Sequence, residues 1–219
     1  QEVIIEAGEI LKRGGLVAFP TETVYGLGAD ALNEEAAQKI YAAKGRPSDN
    51  PLIVHITNME DLLKITKNVS KEAFKVAEEY WPGPLTMIFE KNEKVPYGTT
   101  GGLNTVAVRM PSHEIARAVI DAGGGYIAAP SANTSGRPSP TAAEHVKEDM
   151  DGRIDMIVDG GDVEIGVEST ILDMTVTPPM ILRPGAVTKE MLEDLIGEVA
   201  EDVALIDPDS KKKPKACLL

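Results

Sequence analysis

Leu16-Val-Ala-Phe-Pro-Thr-Glu-Thr-Val-Tyr-Gly-Leu-Gly28 is the stretch on which the architecture turns. Its opening run, Leu16 to Pro20, is short, apolar and preceded by Gly14 and Gly15, which are the length and punctuation of a buried strand. Thr21, Glu22, Thr23 and Tyr25 then bring polar groups, and Gly26 and Gly28 permit close backbone approach. We read this part as a loop at the carboxyl end of a strand, the place where α/β proteins present donors to a ligand. A helix should follow, because Asn33 is a capping residue, Glu34 and Glu35 suit the positive helix start, and Ala37, Ile40 and Tyr41 recur at helical spacing.

Outward from this unit, strand and helix signals alternate. Pro51–Ile56 reads as a strand, Asn58 and Ser70 as caps of two further helices, and Trp81-Pro-Gly-Pro84 as a break. Leu85–Glu90 and Thr105–Met110 read as strands, and Ser112 is expected to cap a helix that runs to about Asp121, before Gly123-Gly-Gly125. Tyr126–Pro130 and Ile154–Val158 are predicted strands, and Thr141–Met150 and Thr188–Ile196 are predicted helices. Thr170–Thr175 and Met180–Arg183 flank Pro178-Pro179 as a hairpin with a long turn. The mixture predicts an α/β domain with a large, twisted, mixed sheet and flanking helices. No internal repeat is visible. Residues 1–200 are expected to form the domain, with 201–219, including Asp207-Pro-Asp-Ser-Lys-Lys-Lys-Pro-Lys215, as a charged tail or the start of an interdomain linker.

Composition narrows the function classes. The chain has 219 residues, ample for a hydrophobic core, and a net charge of −13 with one cysteine and three histidines. Cys217 has no partner for an internal disulfide, and the histidines at 55, 113 and 145 lack the spacing of a structural zinc site. No stretch approaches the ~20 apolar residues that cross a bilayer. The start at Gln1 reads as a processed or trimmed cytosolic one, and an intracellular, cytoplasmic setting is expected. The terminal Cys-Leu-Leu is not a prenylation box, since the cysteine is third from the end. The acidic excess argues against a protein that coats nucleic acid, so any phosphate chemistry should be local.

Several clusters could carry such chemistry. The polar loop after the first strand is neither a Walker loop nor a Gly-x-Gly-x-x-Gly fingerprint, and an ordinary turn with a threonine cap explains it equally well. Lys44-Gly-Arg-Pro-Ser-Asp-Asn50 falls where the first predicted helix ends. Cations there complement the negative helix end, a role worth ~0.3–1 kcal/mol. The same two cations could instead hold a triphosphate, since arginine offers a planar fork and lysine a point charge. His55 lies in the apolar run Leu52–Ile56, either as a satisfied core residue or as a ring facing a crevice. Arg109 follows Thr105-Val-Ala-Val108 and must reach solvent or an anion. Ala128-Ala-Pro-Ser-Ala-Asn-Thr-Ser-Gly-Arg-Pro-Ser139 offers many donors and little bulk, as a nucleotide-lining loop needs, or else is a flexible connector. Ser169 and Arg183 add polar groups at a strand start and a strand end. Neither a nucleophile elbow nor a distinguishable carboxylate pair is present. What remains suits positioning and electrostatic stabilisation of phosphoryl or nucleotidyl transfer.

Taken in order, Pro20-Thr-Glu-Thr-Val-Tyr-Gly-Leu-Gly28, Lys44-Gly-Arg-Pro47 with Asn50-Pro-Leu-Ile-Val-His55, Trp81-Pro-Gly-Pro-Leu-Thr86, Val108-Arg-Met-Pro111, Ala129-Pro-Ser-Ala-Asn-Thr-Ser-Gly136, Glu168-Ser-Thr170 and Leu182-Arg-Pro-Gly185 resemble the YrdC-like (TsaC-type) threonylcarbamoyl-AMP synthases. The likeness spans roughly residues 5–197. It implies a YrdC-like fold with a concave, positively charged cavity. It also implies a nucleotidyltransferase that makes threonylcarbamoyl-AMP and pyrophosphate from L-threonine, bicarbonate or CO2, and ATP, the first step toward N6-threonylcarbamoyladenosine in tRNA. The resemblance assigns threonine to Thr23, His55, Arg109, the Ala129 backbone and Ser169. It assigns ATP to Arg46, Asn50, Thr105, Ser131, Ser139 and Arg183, with Lys44 and Asn133 completing the Lys-x-Arg and Ser-x-Asn pairs. Arg109 would grip the threonine carboxylate bidentately. Lys44 and Arg46 are the expected catalytic cations, with Mg2+ held mainly by the ATP phosphates and no metal-ligating residues of the protein's own.

Two competing readings make different predictions. A non-catalytic YrdC-like paralogue would bind tRNA or double-stranded RNA, which the net charge disfavours. Carbamoyl-adenylate chemistry, as in hydrogenase-maturation proteins, would use carbamoyl phosphate and not threonine, but those proteins carry acylphosphatase and zinc-finger regions for which this chain has neither the room nor the cysteines. A downstream threonylcarbamoyl-transfer machinery is the implied partner. The charge of −13 is then expected to average an acidic exterior with a small cationic pocket of Lys44, Arg46, Arg109 and Arg183.

Overall fold

The computed structural model describes residues 1–206, so the Asp207–Lys215 stretch and Cys217 lie outside the described residues. The opening apolar run forms strand β1 (Val17–Pro20), but the loop expected after it is mostly a second strand, β2 (Tyr25–Asp30). The two pair antiparallel, with Val17 opposite Gly28 and Pro20 opposite Tyr25, and the polar part shrinks to the turn Thr21–Val24. Gly26 and Gly28 are sheet residues here, not loop residues. A Cβ at Gly28 would come within 2.7 Å of the Phe19 ring, and one at Gly26 would lie 3.2 Å from the Ala129 Cβ.

The sequence reading also passes over helix α1 (Glu2–Lys12), whose buried Ala7, Ile10 and Leu11 form an apolar stripe. Beyond β2 the chain continues through α2 (Glu34–Lys44), β3 (Ile53–His55), α3 (Met59–Ile65), β4 (Thr66–Lys67), α4 (Lys71–Tyr80), β5 (Leu85–Lys91), α5 (Tyr97–Thr100) and β6 (Thr105–Arg109). It then forms α6 (Glu114–Ala122), β7 (Ile127–Ala128), α7 (Ala143–Met150), β8 (Met156–Ile157), β9 (Thr170–Asp173), β10 (Met180–Arg183), α8 (Lys189–Ile196), β11 (Ala200–Glu201) and α9 (Val203–Ile206). Asn33, Asn58 and Ser70 cap helices as expected, accepting from the backbone N–H of Ala36, Asp61 and Ala73, and Thr188, read as the first residue of the last helix, is its cap, accepting from Met191. Ser112 does not cap α6. His113 does, through Nδ1 and the Ile115 N–H, because the Ser112 N–H and hydroxyl are spent on Glu22.

The strands form one sheet in the order β11-β10-β9-β5-β6-β3-β7-β2-β1-β8, with β4 beside β5. It is mixed, as expected: β3–β6 and β5–β9 are parallel, whereas β5–β6 and the predicted hairpin β9–β10 are antiparallel. Alternation along the strands sorts the two faces. Leu27, Val54, Met87, Val106, Val108 and Leu172 face the main core under α2, α3 and α4. On the other face, α1 and α6 cover Val17, Phe19, Ile127 and Ala129. Past those helices, the same face continues as a small apolar floor of Ile53, Ile88, Ala107, Ile171 and Leu182. His55, Thr86 and Arg109 lie on this side too, since His55 and Thr86 both pair with Arg109 in register. Among the described residues, no helix is long and apolar enough to cross a membrane.

Candidate active site

The uncovered part of the sheet face holds a small, polar-lined cleft of about 40 Å³. One wall is the Thr21–Val24 turn. Thr21 Oγ1 donates to the Val24 carbonyl at 2.7 Å and lies 3.0 Å from Thr23 Oγ1. With its proton so used, Thr21 can only accept from Thr23. Thr23 Oγ1 in turn accepts from Arg109 Nη1 at 2.8 Å, which leaves it one lone pair and no proton for a ligand.

Arg109 stands at the end of β6, 4% exposed, and is held on three sides. Nε donates to the Gly83 carbonyl at 3.3 Å, Nη1 to Thr23, and Nη2 to Glu22 Oε1. Glu22, itself 4% exposed, uses its other oxygen to accept the Ser112 N–H and hydroxyl. Burial pushes the Arg109 guanidinium down to about 10, opposed by Glu22, so it stays cationic at neutral pH. The sequence reading required Arg109 to reach solvent or an anion; it meets the anion Glu22, and these bonds use three of its five N–H groups.

The opposite wall comes from β5, β9 and β10. Thr86 and Ser169 share a hydrogen bond at 2.7 Å between hydroxyls. Arg183 donates from Nε to the Ser169 carbonyl (2.9 Å), from Nη2 to Ser169 Oγ (3.1 Å) and from Nη1 to Glu168 Oε2 (3.2 Å). Glu168 Oε1 also accepts from Ser139 at 3.2 Å. His55, 3% exposed, sits at the back of the cleft with Nδ1 3.1 Å from the Ile53 carbonyl. Burial and then Arg109 push its pKa down to about 3, so it is a neutral ring at physiological pH.

At the third side, helix α2 carries Lys44 in its last turn, where a cation complements the negative helix end, and closes on Gly45 in the left-handed region (φ 63°). Lys44 is 2% exposed and its Nζ donates to the Ser131 carbonyl. Burial first, then Arg46, pushes it down to about 7, against Glu168 and Asp149. Arg46 Nη2 donates to the Pro51 carbonyl at 3.2 Å, and burial draws its pKa below the arginine value, as it does for Arg183.

The structure therefore brings together Thr23, Arg46, His55, Arg109, Ala129, Ser131, Ser169 and Arg183 around the cleft. Lys44 lies behind Ser131, and Ser139 touches the site through Glu168. Asn133 is turned into its own loop, donating to the Thr134 and Arg137 carbonyls, with its buried Oδ1 unpartnered. Asn50 does not line the cleft, and its carbonyl accepts from Tyr41 Oη at 2.7 Å. Thr105 shares the cleft face of β6 with Arg109 but stands at the strand's other end, opposite Glu90. The sequence reading assigned no role to Glu22, Thr86 or Glu168, although all three fall inside the quoted motifs. The cations are thus backed by carboxylates and are not a purely positive lining.

Over residues 9–185 the chain matches the family model Sua5/YciO/YrdC, described as "Telomere recombination". It is 56% identical over 198 residues to "Threonylcarbamoyl-AMP synthase" of Pyrococcus abyssi, covering 90% of this chain and 58% of that protein. A protein of the same name from Bacillus subtilis is 52% identical over 209 residues, covering 95% and 60%. The crystal structure of Pyrococcus abyssi Sua5 complexed with L-threonine superposes with a TM-score of 0.92 at 52% identity, covering 96% of this chain and 62% of that one. The chain spans about three fifths of the length of the curated relatives it matches. A family match over most of the chain, together with a shared backbone and identity at more than half of the aligned positions, leaves one assignment: the chain belongs to the Sua5/YciO/YrdC family.

Proposed function

We propose that this chain makes L-threonylcarbamoyl-adenylate and pyrophosphate from L-threonine, bicarbonate or CO2, and ATP, and that the product feeds a threonylcarbamoyl transfer to tRNA. The observation that carries this reading is one cleft with two arginine-bearing walls, Arg109 on Glu22 and Thr23, and Arg183 on Glu168 and Ser169. A relative with 52% identity and the same backbone is complexed with L-threonine, which supports placing the amino acid here.

In this reading the two remaining N–H groups of Arg109 take the threonine carboxylate, and the acceptor-only Thr23 takes an N–H of the amine. The neutral amine attacks CO2, forming a carbamate and releasing a proton to solvent; with bicarbonate as the source, the same amine gives the carbamate and water with no net proton. A carbamate oxygen then attacks the α-phosphorus of ATP in line, and the bond to the pyrophosphate oxygen breaks. Arg46, Arg183 and Lys44 offset the charge that grows on the phosphates, a contribution made by position and not by covalent chemistry. His55, held neutral, supplies polar surface without competing for the anions. Magnesium would arrive with the nucleotide as part of the substrate. Among the described residues no cluster of three or more His, Cys, Asp or Glu is arranged to hold an ion, and Glu168 is engaged by Arg183 and Ser139.

Pyrophosphate release measured with each substrate omitted in turn tests the proposal. Release should require both threonine and bicarbonate, and Arg46→Ala should lower it about 100-fold or more with little change in thermal stability. Full activity in Arg46→Ala would remove that residue from the assignment. Release with carbamoyl phosphate and no threonine would move the chain to carbamoyl-adenylate chemistry.

A further inference from the structure

Glu22 is a buried carboxylate that the substrate assignments above leave without a role. We infer that Glu22 is a positioning residue for amino-acid recognition: it locks the Arg109 guanidinium in the orientation that receives the substrate carboxylate. This rests on the proposed reading that the cleft takes an α-amino acid.

The geometry is specific. Glu22 spans two structural units that are 90 residues apart in sequence. Oε1 accepts from Arg109 Nη2, and Oε2 accepts both the N–H and the hydroxyl of Ser112, in the turn between β6 and α6. The carboxylate cannot swing, because each oxygen has its own donors. Arg109 cannot swing either, since the Gly83 carbonyl and Thr23 fix two further corners of its plane. With Nε, Nη1 and Nη2 each held by one bond, one N–H on Nη1 and one on Nη2 remain, the number of donors that a planar carboxylate can accept from a fork. Glu22 also supplies the standing counter-charge that keeps a buried arginine in place before substrate arrives. The next residue, Thr23, accepts from the same arginine and gives its own proton to Thr21, so Arg109 and Thr23 are held together beside Glu22.

Replacement by an isosteric amide separates positioning from packing. In Glu22→Gln the NH2 must face either Arg109 Nη2 or the Ser112 donors, and in both orientations donor meets donor. The KM for L-threonine should rise about tenfold or more while the KM for ATP stays within about twofold and kcat within about threefold. The decisive readout is the preference for L-threonine over L-threoninamide, which lacks the carboxylate. That preference should shrink about tenfold in Glu22→Gln, because the lost interaction acts only through the carboxylate. A lowered melting temperature with the threonine KM and the preference both unmoved would overturn the inference. Should Glu22→Gln fail to fold, Ser112→Ala carries the test from outside the cleft. It removes one donor to Oε2 and should raise the threonine KM about twofold to threefold, with an unchanged value overturning the inference. If the unmutated chain shows no threonine-dependent pyrophosphate release, the proposed function falls and this inference with it. Activity in the unmutated chain with an indifferent Glu22→Gln sinks only the role of Glu22.

Discussion

Lys44 is the residue through which the proposed nucleotide binding is open to a proton-linkage test. It is buried beside Arg46, and those two facts push its pKa down to about 7, so near pH 8 the amine is mostly neutral. In the proposed reading, ATP brings several negative charges to the Arg46 side of the cleft. A neighbouring anion stabilises the ammonium form, so binding must raise the Lys44 pKa and draw a proton from solvent. The sign is fixed by linkage: a ligand that raises a pKa takes up protons at pH values between the free and bound pKa. Calorimetric titration of ATP at pH 8 in two buffers of different ionisation enthalpy should show uptake of most of one proton, falling toward zero near pH 6, where the amine is already charged. Lys44→Met should abolish the buffer dependence. An unmutated chain with no buffer dependence at pH 8 would mean that Lys44 is already a cation in the free protein.

At the scale of elements, what was legible and what was not divide along the range of the interaction. Caps are local, so Asn33, Asn58, Ser70 and Thr188 disclose their helices from a few neighbouring residues. Helix α1 has the stripe but no such marker, because Gln1 makes no side-chain capping bond. β2 was read as a loop because glycine is the usual sign of one, and only the Phe19 ring and Ala129, met across the sheet, reveal why glycine is required. The site divides the same way. Its arginines stand out in apolar runs, whereas Glu22 becomes meaningful only through a pairing across 87 positions with Arg109. Gly8 in α1 makes the point testable. An added Cβ would lie 2.5 Å from the Ala122 carbonyl oxygen of α6, so the helices touch backbone to side. Alanine is the better helix former by about 1 kcal/mol, but overpacking against a backbone atom costs about 1–3 kcal/mol. Gly8→Ala should therefore lower stability by up to about 2 kcal/mol in chemical denaturation; a stabilised variant would show that α1 can slide on α6.

For the whole molecule, the question is how a chain of net charge −13 would admit the polyanion proposed as its substrate. In the cleft Arg109 is paired with Glu22 and Arg183 with Glu168, so these cations act on a ligand at contact and little at a distance. Beyond a Debye length of about 8 Å at physiological salt, the acidic exterior dominates. A mononucleotide inserted between the walls meets Arg46 and Arg183 directly, whereas an RNA helix must lay many phosphates along the outer surface. RNA affinity without a basic track has no counterion release to draw on. At 150 mM salt, a duplex RNA of about 20 base pairs should bind this chain at least tenfold more weakly than ATP, and ATP affinity should fall only shallowly with added salt because few phosphates are contacted. Fluorescence anisotropy with labelled RNA, run beside calorimetry with ATP over a salt series, measures both. Micromolar RNA binding with a steep salt slope would place a nucleic-acid surface on this domain and restore the binding-module reading that its charge opposes.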